Sequence, residues 1–209
     1  MAANTVRIGN NILSTGEFSI NGGEVNISNG LIATNAAWST VTFNSGELNV
    51  AGVDLTLGTD LTVGNGTDAA VLGLMGDANS IADGLIITNL ATFAAGGVDV
   101  VDDAVELTAD VVFAENSIIH CDFGAGIGDQ LVLTGDLKLP AIASIEIDAV
   151  SMDNLPDVVD LITASSLSGE TDLSGWTVES VGENIYNVSI EGNVLTLTRV
   201  LNGSLFIIK

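Results

Sequence analysis

The stretch Phe18-Ser-Ile-Asn-Gly-Gly-Glu-Val-Asn-Ile27 returns 23 residues later as Val41-Thr-Phe-Asn-Ser-Gly-Glu-Leu-Asn-Val50. Asn21 falls on Asn44, Gly23 on Gly46, Glu24 on Glu47 and Asn26 on Asn49, and each apolar position falls on another. Self-similarity at a fixed period of roughly 20–50 residues marks a solenoid or an array of small units. Within each copy, apolar residues alternate with small polar ones. That period of two is the strand signal, so the repeating unit is built from strands.

The alternation predicts strands over residues 18–20, 24–27, 30–34, 40–43, 47–50, 53–57 and 61–63. Asn21-Gly22-Gly23, Asn44-Ser45-Gly46, Gly58-Thr59-Asp60 and Gly64-Asn65-Gly66 are the corners, since Gly and Asn tolerate the left-handed region. Three strands per repeat fit one triangular coil of a parallel β-helix. The pattern continues through 70–74, 80–81, 85–88, 91–93, 98–101, 105–107 and 111–113, and Leu61 and Leu85 again stand one period apart. An antiparallel sandwich would also give short strands and frequent turns, but the repeat favours the solenoid. Stacked coils place identical residues about 4.8 Å apart. Asn21 over Asn44 and Asn26 over Asn49 are then expected to form short amide ladders. Glu24 over Glu47 must point into water or share a cation, because like charges face to face destabilise a sheet.

The last third reads differently. Predicted strands at 130–134, 136–139, 144–149, 158–164, 176–181, 186–190, 194–199 and 204–208 are longer. Their links, Glu191-Gly192-Asn193 and Leu201-Asn202-Gly203, are hairpin-like. A solenoid leaves open strand edges and exposed core at its last coil, so an atypical cap is expected there. The expected fold is all-β: a right-handed parallel β-helix of about 20–24 residues per coil over 1–139. An antiparallel C-terminal cap is expected over 140–209, with a terminal strand at 204–208.

Charge narrows the partners. The chain has 27 acidic and 4 basic residues, net −23. No basic stripe is present to neutralise phosphates, which argues against nucleic acid. An anionic membrane surface is disfavoured for the same reason, and no run of 18 apolar residues is present to insert into a bilayer. Hydrophobic residues make up 47% of the chain but aromatics only 4%, which suits thin, regular layers. The single cysteine, Cys121, rules out an intrachain disulfide. It lies in the strand-like run Ser117-Ile-Ile-His-Cys-Asp-Phe123 and is expected to be a buried, inert thiol.

Candidate chemistry is sparse, and no catalytic, cofactor-binding or metal-ligating residue is assigned. His120, the only histidine, shares a strand face with Asp122. Metal sites need three or four converging ligands, so this pair reads as structural. Gly124-x-Gly-x-Gly-Asp129 weakly resembles a calcium nonapeptide, but Ile127 stands where that motif wants Gly, and it is not repeated. No helix follows it to hold a phosphate. Asp99, Asp102 and Asp103, and Asp54 with Asp60, are paired carboxylates of the kind glycan-cleaving β-helices use. As exposed Asp they read as solvated strand edges. Thr40/Thr42 and Thr196/Thr198 hint at a threonine face for ordered water, without a copy one coil on. The tail Ser204-Leu-Phe-Ile-Ile-Lys209 is a final strand, or an edge that adds to a neighbouring molecule.

At Leu61-Thr-Val-Gly-Asn-Gly-Thr-Asp-Ala-Ala-Val-Leu-Gly-Leu74 the chain resembles the strand repeats of autotransporter passengers and other large secreted bacterial repeat proteins. Gly128-Asp-Gln-Leu-Val-Leu-Thr-Gly-Asp-Leu-Lys-Leu139 is similar to the motif closing such arrays. Residues 157–169 and 186–198 resemble their C-terminal end. The resemblance covers about two-thirds of the chain. It implies a secreted or surface-displayed parallel β-helix without catalytic residues of its own. Unlike that pattern, no signal peptide precedes Met1 and no barrel follows Lys209, and the sequence is read as a mature or excised segment. The expected function is a non-catalytic extracellular structural or adhesive protein that binds itself as an oligomer or filament. The alternative is a glycan-binding or glycan-cleaving module facing surface glycans; an ice- or mineral-binding solenoid is a third, weaker reading.

Overall fold

The computed structural model describes residues 1–9, 15–97, 104–124, 126–149, 155–179 and 181–200. They form an all-β, parallel β-solenoid of about five turns. Each coil has three faces, and each face is a ladder of strands stacked in register. In one ladder Ile20, Phe43, Val63, Ile87 and Phe113 lie one above another. In the next, Val25, Leu48, Leu72, Phe93, Ile119 and Ile145 do so. In the third, Ala33, Leu55 and Ile81 stack, as do Leu107, Leu133 and Ala164 further along. Nearly all of these side chains are buried in one continuous core, with Val25 at its margin. A one-residue slip would turn every one of them outward, so the alternation itself fixes the register.

Coil length varies along the stack. Partners are 23 residues apart at Glu24 and Glu47, 20 at Phe43 and Val63, 21 at Leu72 and Phe93, and 26 at Ile119 and Ile145. The additional residues go into corners, where length changes without disturbing the ladders. Gly16–Ala33 and Ser39–Ala51 are each continuous strands, where the alternation divides them into shorter pieces. The chain bends there at Gly22, Gly23 and Gly46, all at positive φ.

Parallel pairing runs past residue 139. Ala143–Ala149 lies parallel on Ser117–Gly124, Val158–Gly169 on Leu131–Leu139, and Thr177–Val178 on Ala143–Ala149. The antiparallel part of this end is smaller than the sequence suggests. It comprises Val194–Val200 against both Val158–Gly169 and Ile185–Glu191, the latter through a tight turn at Gly192. Two aromatics fasten this end. Trp176 Nε1 donates to the Pro140 carbonyl at 3.0 Å and Tyr186 Oη to that of Pro156 at 2.8 Å. The Tyr186 ring also meets Phe123 edge-on at 5.1 Å.

Both expected amide ladders are present. Asn44 Nδ2 donates to Asn21 Oδ1 at 2.7 Å, and Asn49 Nδ2 to Asn26 Oδ1 at 3.1 Å. The glutamates between them are in register, with Glu24 exposed and Glu47 half-buried. Each accepts the amide of the Asn two residues on, at 2.5 Å. The ladder stops at Gly73, where a Cβ would lie 2.2 Å from Asn49 Oδ1, an atom that is buried without a hydrogen-bond partner among the described residues. Asn49→Ala removes two amide bonds but also that orphaned oxygen. The expected loss is therefore only about 1 kcal/mol, read as a shift in urea midpoint at constant slope.

Candidate functional site

The strand Ser117–Gly124 turns Cys121 into the core, so His120 and Asp122 face the other way. Both are nevertheless buried, at 6% and 0% exposure. Beneath His120 in the ladder lies Ala94, whose short side chain leaves room. Above it the next coil brings Glu146 over His120 and Asp148 over Asp122. His120 Nε2 is 3.5 Å from Asp122 Oδ2 and 4.0 Å from Asp148 Oδ2. One ligand atom from each of the three residues lies within 4.8 Å of the others. Nε2 itself is buried and makes no hydrogen bond of acceptable geometry among the described residues.

Asp129 holds the strand end in place. Its Oδ2 accepts the Asp122 backbone N–H at 2.9 Å, and its own N–H donates to the Asp122 carbonyl at 3.1 Å. Gly128 pairs antiparallel with Phe123, closing a small hairpin in the Gly-rich segment. Cys121 is fully buried, and its Sγ lies 3.6 Å from the Asp129 carbonyl. Burial, reinforced by Asp129, pushes its thiol well above the ordinary value and keeps it protonated.

Burial alone would lower the affinity of His120 for a proton. The Asp122 carboxylate, aided by Asp148 and Glu146, outweighs it and raises the imidazole pKa above 6.5. Glu146 is raised as well, by burial and then by the charge of Glu179. A histidine whose folded pKa is raised adds stability that is complete below its unfolded value and fades as pH rises through the folded value. In chelator-treated protein, His120 is expected to titrate above 6.5 by NMR. Stability should fall across that window in wild type and not in His120→Gln.

The other candidates do not converge with this cluster. Asp54 and Asp60 are exposed, one on the strand Val53–Leu55 and the other in the corner after it. Asp99, Asp102, Asp103 and the tail 204–208 lie outside the described residues. The threonine row ends early, since Ile86 stands above Thr62 and Val112 above Ile86. A shallow groove of about 330 Å³ runs up one corner of the first coils. Ser28, Asn29, Ile32, Asp54, Met75 and Asp77 are among its lining residues.

Asp148 is the residue that reading along the chain passes over. Its signal is the coil period: Glu146-Ile-Asp148 repeats the placement of His120-Cys-Asp122 26 residues on. No protein-family model and no curated protein matches this chain.

Proposed function

We propose that this chain is a non-catalytic structural or adhesive β-solenoid, working outside the cell or on its surface and associating with itself. The observation that carries this reading is the unbroken stack of three ladders over one apolar core. Such a stack gives length and rigidity and presents turns rich in Asn, Asp and Thr. One cysteine, few lysines and a net charge of −23 suit a secreted, soluble surface. Among the described strands, Ala2–Arg7 pairs on one side only, with Gly16–Ala33. Its other edge offers backbone donors and acceptors to a rung from a second copy. Electron microscopy and sedimentation of the purified chain test this. Filaments or concentration-dependent oligomers are expected, and a monomer at every concentration defeats the self-association.

The corner groove favours a second reading, a glycan-binding module. Its carboxylates and Asn29 beside Ile32 and Met75 offer polar and apolar contacts to a sugar. Binding of neutral oligosaccharide that is lost in Asp54→Ala would support it over the structural role.

A further inference from the structure

We propose that His120, Asp122 and Asp148 form a binding site for one divalent first-row transition ion of the Zn²⁺ or Mn²⁺ type. Ligand atoms come from two successive coils, so an ion here would clamp one rung to the next. The site joins one imidazole nitrogen to two carboxylate oxygens. Imidazole selects for transition ions, whereas Ca²⁺ wants six to eight oxygens. Metal–ligand bonds of about 2.1 Å in tetrahedral geometry place ligand atoms about 3.4 Å apart. His120 Nε2 is 3.5 and 4.0 Å from the two carboxylates and all three ligand atoms lie within 4.8 Å of one another, so side-chain rotation must draw them together around an ion.

Three features set this cluster apart from ordinary surface acidity. His120 Nε2 is buried and lies near both carboxylates, 3.5 Å from Asp122 Oδ2 and 4.0 Å from Asp148 Oδ2. The backbone holds two of the ligands rigidly, through the in-register pairing of Ser117–Gly124 with Ala143–Ala149 and the grip of Asp129 on Asp122. The Asp148 side chain is 67% exposed, which gives an ion a way in and leaves a coordination position for water. Glu146 stands over His120 and adds negative potential at the mouth.

The test is titration of the full chain, after chelator treatment, with Zn²⁺ and with Co²⁺ as a spectroscopic stand-in, at near-physiological salt. One saturable equivalent is expected, with visible Co²⁺ bands and a higher melting temperature. Asp148→Asn removes an exposed ligand and should fold as wild type. It should bind at least about tenfold more weakly, since even outer-shell partners are worth that much. His120→Gln should lose the Co²⁺ bands. Equal affinity in wild type and Asp148→Asn, no saturable binding, or an equal response to Ca²⁺ would each overturn the site.

Discussion

Gly46→Ala is expected to destabilise the protein by about 3–5 kcal/mol, combining backbone strain with overpacking. Gly46 sits at φ +95°, where a Cβ is strained whatever the space around it. That Cβ would also lie 2.5 Å from the Gly23 carbonyl oxygen and 2.7 Å from the Gly22 carbonyl carbon. These are backbone atoms of the coil below, so relief requires the two coils to separate, and the ladder from Gly16–Ala33 to Ser39–Ala51 resists that. Gly23→Ala is the control. It occupies the equivalent place one coil down at φ +71°, with nothing within 4 Å of its Cβ. It should cost only about 1–2 kcal/mol, the left-handed penalty alone. Gly135→Ala separates the other component, because its Cβ would lie 2.0 Å from the Ala109 carbonyl oxygen without any positive φ. Thermal melts of the three variants measure the comparison. Equal shifts for Gly46→Ala and Gly23→Ala would mean that the coils do not stack this tightly.

The second large effect is expected at Phe93. It is 1% exposed, stacks between Leu72 and Ile119, and meets the Phe113 ring edge-on at 6.2 Å. Phe93→Ala leaves a cavity in a core only one coil wide and should cost about 3–5 kcal/mol. Phe93→Leu keeps most of the volume and should cost much less. A solenoid contacts itself only between neighbouring coils, so a weak coil lowers the coupling between the segments on either side. Native-state hydrogen exchange should then show residues 18–81 and 117–169 opening with different free energies in Phe93→Ala. A single common opening energy would mean the stack is cooperative end to end.

Much of this architecture is legible in one repeat. The pairs Asn21/Asn44 and Asn26/Asn49 gave both the period and the ladders, because stacking turns sequence distance into vertical neighbourhood. Three things were hidden. Parallel pairing beyond Leu139 was masked by longer strands, prolines and hairpin signals, which mark a cap locally but do not say which neighbour a strand meets. Asp148 was hidden because the coil there spans 26 residues, not the 23 of the first repeat. A period carried over from the first coils points to Ala143 and Ile145 rather than to the residues that actually top His120 and Asp122. The burial of His120 was equally invisible, since alternation marks it as an outward position.

The strands lie across the stack, and so the backbone hydrogen bonds of every ladder point along its axis. A pull applied end to end therefore loads those bonds a few at a time, as in opening a zipper, instead of shearing a whole row together. Coils should come away singly, each of 20–33 residues releasing about 70–110 Å of extended chain. Under tension such a molecule is expected to lengthen in steps of one coil.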